Sequence, residues 1–225
     1  MRAIESLPIA ERKLLEKHRK WVEDGMLLKR PSLSGLDLSN TDLRGVCLYR
    51  AALSFADLSK ACLERADLRG AELYKANLAD VWAYITNLTN AYLAEACLVR
   101  ACMTDTELKG AGLVGANLSH VDLEDANLYA VDLRDANLYR TNWEYAKNGL
   151  TFGPIGSRLG LTYAVRHPNA VMIKCGCFWG TLEEWEAQCR RVHRGTVHAE
   201  AYAAAAAFIR AYANSYWTGE EVEDA

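Results

Sequence analysis

Hydrophobic residues recur at every fifth position along the middle of this chain. From residue 33 to residue 143 this series has 23 members, of which 20 are leucine and the others are Ala83, Met103 and Trp143. The position two residues before each member usually holds a small residue, as in Ala56 and Ala61. The repeating unit is therefore small-x-Leu-x-x.

This period fits neither an amphipathic helix nor a continuous strand. Five residues of an α-helix give a net rotation of about 140°, so the leucines would not share one face. In a strand, an odd period places successive leucines on opposite faces. We therefore predict a three-residue extended segment, small-x-Leu, followed by a two-residue turn. Such units bury their leucines only by stacking on one another, which is typical of a solenoid.

The units resemble those of the pentapeptide-repeat family, as shown by Ala-Asp-Leu-Ser-Lys (56–60), Ala-Asp-Leu-Arg-Gly (66–70), Ala-Asn-Leu-Ser-His (116–120) and Ala-Asn-Leu-Tyr-Arg (136–140). The resemblance implies an all-β solenoid, a right-handed quadrilateral β-helix with four pentapeptides per coil. With four sides, the 23 units make just under six coils. At roughly 4.8 Å between stacked strands, the rod is about 27 Å long.

The sequence before the repeats predicts a cap for the first coil. Residues 9–24 have the pattern of a helix whose apolar side holds Ile9, Leu14, Leu15, Trp21 and Val22. Pro8 suits a helix start and Gly25 a helix end. We expect residues 1–30 to cover the open end of a 31–147 solenoid. The alternative is a nucleic-acid patch made by Arg12, Lys13, Lys17, Arg19 and Lys20, but Glu11 and Glu16 lie among these cations.

Residues 148–225 predict a small ββαα domain that caps the last coil. Residues 159–165 and 171–178 have the composition of strands joined by a turn at 167–169. Thr181 and Glu184 form a capping box before a first helix with Leu182, Trp185 and Cys189, and residues 197–217 predict a second helix with Tyr202, Ala205, Ile209, Tyr212 and Tyr216. The segments 155–158 and 176–184 resemble a small ββαα module of phage and bacterial proteins, which implies no chemistry. We expect the acidic tail, 219–225, to be loose.

Composition and charge indicate a soluble protein of the cytoplasm. The 225 residues are 51% hydrophobic and 24% charged, and no apolar run is long enough for a membrane span or an export signal. Seven cysteines without an export signal favour reduced thiols. The net charge of −3 is uneven, since residues 105–147 hold eight acidic and four basic residues. The acidity therefore lies at the C-terminal end of the repeats.

Two groups of outward-facing residues are candidates for binding a partner. The first is aromatic and apolar, with Trp82, Tyr84 and Ile85 where the leucine is lost, Cys62 and Cys102 stacked on either side of Trp82, and Tyr92 around the corner. It is either a stacked ladder that shields the backbone or a docking patch. The second is the acidic end, at Asp122, Glu124 and Asp125.

Few residues have the spacing that catalysis or metal binding requires. Cys175, Cys177, His193 and His198 are the one zinc-like set, but Cys-x-Cys is tighter than the usual spacing, so structural thiols are the default. Cys177 with His193 is the one nucleophile and base pair to test. No nucleotide-binding loop is present in the sequence. We therefore predict a protein that is not an enzyme, with no cofactor and no metal.

These features predict a scaffold that binds a protein partner, with no direct contact to nucleic acid or membrane. The resemblance also implies an alternative, a DNA mimic that binds a type II topoisomerase such as gyrase and protects it from quinolones. A DNA-like rod of about 27 Å needs on the order of 16 unbalanced acidic groups, whereas residues 31–147 hold 16 acidic and 11 basic residues. A second alternative is a metal- or thiol-dependent activity in the C-terminal unit. The identity of the partner and the oligomeric state stay open.

Overall fold

The computed structural model describes residues 1–27, 29–152 and 161–217. The chain divides into two compact units, Met1–Lys147 and Asn148–Ala225. Three sequence features lie outside the described residues: the 155–158 segment, the start of the strand predicted at 159–165, and the 219–225 tail.

The first unit is a coil that returns to the same side after every fourth pentapeptide. The middle residue of each extended segment forms a parallel bridge with the middle residue of the fourth segment after it, so that Cys62 pairs with Trp82 and Trp82 pairs with Cys102. The Leu63 amide donates to the Trp82 carbonyl at 2.7 Å, and this ladder continues from coil to coil. The predicted four-sided coil is thereby confirmed. Its handedness and the count of just under six coils stay predictions.

The predicted leucine series forms the core of the coil. Each member from Leu33 to Trp143 is buried, and most of the small residues two positions earlier are buried as well. Where the small position holds threonine, its hydroxyl needs a partner inside the core. The Thr86 hydroxyl donates to the Leu63 carbonyl at 2.7 Å, and the Thr106 hydroxyl donates to the Ala83 carbonyl at 2.8 Å. The core is thus apolar, and these two hydroxyls are satisfied within it.

The corners depend on two properties of the residues around them. The second turn residue of almost every unit has a positive φ, which glycine and asparagine adopt at low cost, as at Gly45 and Asn90. In many extended segments, the side-chain oxygen of the middle aspartate or asparagine accepts a hydrogen bond from the backbone amide two residues later. The Ser59 amide, for example, donates to Asp57 Oδ1 at 2.9 Å. This bond holds the chain in the turn. The predicted three-plus-two division of the unit is confirmed.

The N-terminal segment adds one bridge to the first coil and then forms a helix. Arg2 pairs in parallel with Thr41, and the Asp42 amide donates to the Arg2 carbonyl at 2.8 Å, so residue 2 extends the ladder by one level. A short 3-10 helix, Ile4–Ser6, precedes α1, Ile9–Glu23. Leu15 of α1 is buried as predicted, whereas Ile9 is exposed, because it lies at the first residue of the helix.

The second unit is a four-stranded antiparallel sheet with two helices. Its elements are β1 (Gly149–Phe152), β2 (Thr162–His167), β3 (Ala170–Cys175), β4 (Phe178–Thr181), α2 (Leu182–Val192) and α3 (Val197–Tyr216), with the strands in sequence order across the sheet. The predicted hairpin, the capping box at Thr181 and both helices are present. The core holds Ala164, Ile173, Leu182, Trp185, Cys189, Tyr202, Ala206 and Ile209.

The prediction of only two strands is wrong in this unit. Strand β1 begins where the five-residue period ends, and its four residues are too few to show an alternating pattern. The strand predicted at 171–178 is interrupted, because Gly176 adopts a φ of +59° and the chain turns there. Phe178 therefore begins a separate strand, which pairs antiparallel with β3. Among the described residues, no helix has the length and hydrophobicity needed to cross a bilayer.

Candidate protein-interaction surface

One side of the coil carries the exposed tryptophan that the sequence singled out. We call it the Trp82 face, and it consists of this side and the corner after it; its middle residues are Asp42, Cys62, Trp82, Cys102, Asp122 and Asn142. Trp82 is 63% exposed. Its neighbours one coil away are cysteines, whose short side chains do not cover an indole. No aromatic ring among the described residues contacts Trp82, so a ladder of stacked rings does not explain its exposure.

The corner beside Trp82 is also apolar and exposed. Tyr84 and Ile85 are 41% and 40% exposed. Ile85 has a φ of +53°, a left-handed conformation that costs a β-branched residue roughly 1–2 kcal/mol. Among the described residues with positive φ, Ile85 is the one β-branched side chain. The fold therefore maintains a strained, solvent-exposed isoleucine where glycine or asparagine would be more stable.

The acidic candidates lie on this same face, although we predicted them as a second, separate group. Asp122 follows Trp82 by two coils, a distance of about 10 Å along the stack. Glu124 and Asp125 occupy the corner two coils beyond Tyr84 and Ile85. Because each offset equals two complete coils, residues that are distant in sequence share one side.

The acidic residues at the C-terminal end of the Trp82 face lack the ion pairs that many acidic residues have elsewhere on the coil. No lysine or arginine among the described residues forms an ion pair with Asp105, Asp122, Glu124, Asp125 or Glu144. Desolvation, followed by the negative charges of its four acidic neighbours, raises the pKa of Glu124. In the earlier coils, by contrast, Asp67 meets Arg69 at 2.8 Å and Asp80 meets Arg100 at 2.7 Å. The acidic end is therefore a region of uncompensated negative charge.

The prediction that Tyr92 lies around the corner from Trp82 is wrong. The two positions are two pentapeptides apart, which is half of a coil and places Tyr92 on the opposite side. Tyr92 forms its bridges with Glu72 and Gly112. We call this side, with the corner after it, the Tyr92 face; its middle residues are Ser32, Ala52, Glu72, Tyr92, Gly112 and Asp132.

The Tyr92 face holds an aromatic cluster that the sequence analysis missed. The Phe55 and Tyr74 rings meet edge to face with centroids 5.6 Å apart, and the Tyr74 and Tyr92 rings stack at 6.2 Å. Phe55 and Tyr92 are 58% and 50% exposed. The signal was present as a spacing close to one coil, since aromatic residues at nearly equal positions of successive coils become neighbours.

The N-terminal end of the Trp82 face is concave. A cavity of about 570 Å³ is lined by residues 3–5 and by Asp42, Arg44, Gly45, Glu64 and Arg65. Two of its carboxylates are paired with arginine, because Arg44 binds Asp42 through two nitrogens at 2.9 and 2.6 Å and Arg65 lies 3.6 Å from Glu64. The face therefore runs from an ion-paired polar end through an apolar centre to an acidic end without ion pairs.

Three cysteines of the second unit and His193 surround a small cavity. Cys175, Cys177 and His193 line a space of about 140 Å³ together with Cys189, and burial raises the pKa of the Cys189 thiol to about 11. The His193 ring stacks on Tyr202 at 4.8 Å, with the His198 ring 6.1 Å away. Among the described residues, no three histidine, cysteine or acidic side chains are placed to hold a metal ion. The Cys177 and His193 pair stays a prediction.

Comparison with known proteins supports the assignment of the coil. The family model for pentapeptide repeats matches residues 51–83 and 111–142, with eight copies. The matched segments are pentapeptide repeats. No curated protein matches this chain.

Several solved structures of pentapeptide-repeat proteins are similar to this chain. Rfr23 from the cyanobacterium Cyanothece 51142 is 24% identical over 57% of this chain and 94% of its own, with a TM-score of 0.36. HetL from Nostoc sp. strain PCC 7120, involved in the regulation of heterocyst differentiation, is 28% identical over 53% and 54%, with a TM-score of 0.29. QnrB1, a plasmid-mediated fluoroquinolone resistance protein, is 21% identical over 47% and 67%, with a TM-score of 0.28. At these TM-scores they do not inform the function of this chain.

Proposed function

We propose that this pentapeptide-repeat protein is a non-enzymatic scaffold that binds a protein partner through the Trp82 face. The single observation that carries the proposal is the exposed apolar group of Trp82, Tyr84 and Ile85. Tryptophan and tyrosine are the residues most often found as hot spots of protein interfaces. Exposed rings next to small side chains are available to fill a pocket of a partner.

The strain at Ile85 supports the same proposal. A left-handed β-branched residue lowers the stability of the fold, and its side chain is not buried in return. Backbone strain of this kind is concentrated at functional sites. A stacked ladder that only shields the backbone does not require a strained isoleucine at this corner. The isoleucine is explained if a partner buries it.

A type II topoisomerase is the second candidate partner, and the unpaired carboxylates of the Trp82 face are the observation that favours it. Duplex DNA carries about one negative charge per 1.7 Å along its whole length. The unpaired group here extends from Asp105 to Glu144, a height of about 10 Å, while acidic residues of the earlier coils pair with arginine. We therefore place it second. Its test is a gyrase supercoiling assay, with and without the protein and with quinolone.

The principal proposal is tested by quantitative pull-down with the full chain as bait. The variant Trp82→Ala, Tyr84→Ala removes both rings of the Trp82 face, and the matched control Phe55→Ala, Tyr92→Ala removes two rings of the Tyr92 face. We expect proteins captured by the wild-type chain and by the control to be lost from the first variant by at least about tenfold. Equal capture by all three baits would contradict the proposal. Circular dichroism of each bait confirms that the coil is folded.

A further inference from the structure

We infer that the partner of the Trp82 face presents a cationic segment, rich in lysine or arginine, next to the pocket that receives Trp82. This inference rests on the proposed function, since it specifies the chemistry of the partner of that same surface. It depends on the arrangement of apolar and charged groups along the face. The bridges between coils define the relative positions of these groups.

The first step is the fixed spacing of the two groups. Trp82 and Asp122 occupy the same slot of coils that are two levels apart, which separates them by about 10 Å. A partner that covers the indole therefore reaches the carboxylates with a segment of three or four extended residues, or with two turns of helix. One continuous segment is long enough to contact both.

The second step is the sign of the charge. Glu124, Asp125 and Glu144 have no cationic partner among the described residues, and the Asp122 carboxylate accepts from neutral donors, which include the Asn142 side chain at 2.8 Å and the Glu124 amide at 3.2 Å. A partner with acidic groups here would add repulsion to groups that already repel one another. A cationic segment removes that repulsion, so the complex is favoured by charge complementarity as well as by burial of the indole.

The third step is the contrast along the face. At its N-terminal end Arg44 already pairs with Asp42 and Arg65 with Glu64, so a cation placed there gains less. The cationic residues of the partner are therefore expected on the side of Trp82 that leads to Asp122, and not on the other side. This gives the bound segment one direction along the coil.

The experiment is a selection of random peptides displayed on phage, long enough to span both groups, with the immobilised full chain as target. Parallel selections use Trp82→Ala and the double variant Glu124→Gln, Asp125→Asn, whose side chains keep their size and lose their charge. Affinities of the enriched synthetic peptides are then measured at low and at high salt. We expect peptides with an apolar cluster that binds the indole and several cationic residues on one side of it. The double variant should bind them about tenfold more weakly at low salt and nearly as well as wild type at high salt.

The outcomes separate this inference from the proposed function. Peptides that need Trp82 but are neutral or acidic, and that bind the charge variant as well as wild type, would overturn the cationic partner and leave the docking surface intact. Peptides whose binding does not change in Trp82→Ala would overturn the docking surface itself. A selection that enriches no peptide on the wild-type chain would count against both.

Discussion

The Trp82 face and the Tyr92 face both expose large aromatic side chains, but they differ in the ring contacts and ion pairs around those side chains. On the Tyr92 face, three rings contact one another, and the charges nearby are paired, with Lys75 and Glu95 3.3 Å apart and Arg30 and Glu72 2.8 Å apart. On the Trp82 face, the indole has no ring contact and the carboxylates of the acidic end have no cation among the described residues. The exposed area alone does not distinguish the two faces.

This difference indicates that side chains without partners inside the protein identify a binding surface better than exposure alone does. Rings that stack across coils stabilise the coil that carries them. An isolated indole, a strained isoleucine and a group of like charges contribute little to the coil or weaken it. Their presence is explained by a partner, and the following predictions compare the two faces in order of expected effect.

The largest effect on stability is expected from a substitution in the leucine core, which supports both faces. Leu68 is fully buried, so Leu68→Asp places an unpaired carboxylate among leucines. We expect the free energy of unfolding to fall by at least about 4 kcal/mol and partner binding to be lost. Thermal melting followed by circular dichroism measures it. The control is Asn117→Asp, an outward residue stacked between Cys97 and Asn137, whose replacement still accepts a hydrogen bond from the Ser119 amide. An unchanged melt of Leu68→Asp would refute the core assignment.

The next prediction is that aromatic residues of the Tyr92 face contribute to stability, whereas those of the Trp82 face contribute to partner binding. Tyr92→Ala removes a stacked ring and should lower the free energy of unfolding by about 1 kcal/mol without changing partner binding. Trp82→Ala removes no ring contact and should change stability by less than about 0.5 kcal/mol while weakening binding strongly. Denaturant unfolding and a binding assay on the same preparations measure both. If Trp82→Ala is the more destabilising change, the two faces do not differ in the way described.

A third prediction uses the left-handed corner residues. Ile85→Asn should raise the free energy of unfolding by about 0.5–1 kcal/mol, because asparagine adopts positive φ more easily, and should weaken partner binding. The matched change Phe55→Asn, at a φ of +62°, also loses its contact with Tyr74 and should gain less stability. It should leave binding unchanged. A loss of stability in Ile85→Asn would remove the strain argument.

The smallest effect concerns the pH dependence of the acidic end. The pKa of Glu124 is raised in the folded chain, so ionised Glu124 opposes folding above that pKa, and the penalty disappears as the pH falls through it. Glu124→Gln should therefore raise the melting temperature at pH 7 by up to about 2 °C and have no effect near pH 4. Glu95→Gln breaks a pair with Lys75 and should shift it slightly downward at pH 7. Melting curves of both variants between pH 4 and pH 7 test the difference in sign.

Much of the fold could be predicted because its information is local. The unit small-x-Leu-x-x places the leucine and the small residue on one side of a short extended segment, and any single unit of the series shows it. The capping box at Thr181 and the helix after it are local in the same sense. Strands β1 and β4 were missed because they are too short for a pattern, and they exist through pairing with β2 and β3.

The candidate site was predicted only in part, since its geometry depends on the length of a coil. Trp82, Tyr84 and Ile85 are adjacent in sequence and were found together. That Asp122, Glu124 and Asp125 join them, and that Tyr92 does not, depends on a register of four pentapeptides between stacked coils. Some acidic residues form ion pairs with lysine or arginine and others do not. These ion pairs form between or within coils and produce no periodic pattern in the sequence.

The amino-acid sequence by itself determined that a buried leucine recurs at fives and that the chain must coil, because the hydrophobic effect acts on each unit in the same way. Only the tertiary structure decided which outward residues become neighbours, which charges are neutralised and which side of the coil is left with unmet interactions. The physical reason is that hydrogen bonds between coils set the register across a whole turn of the coil, and no local pattern contains that distance.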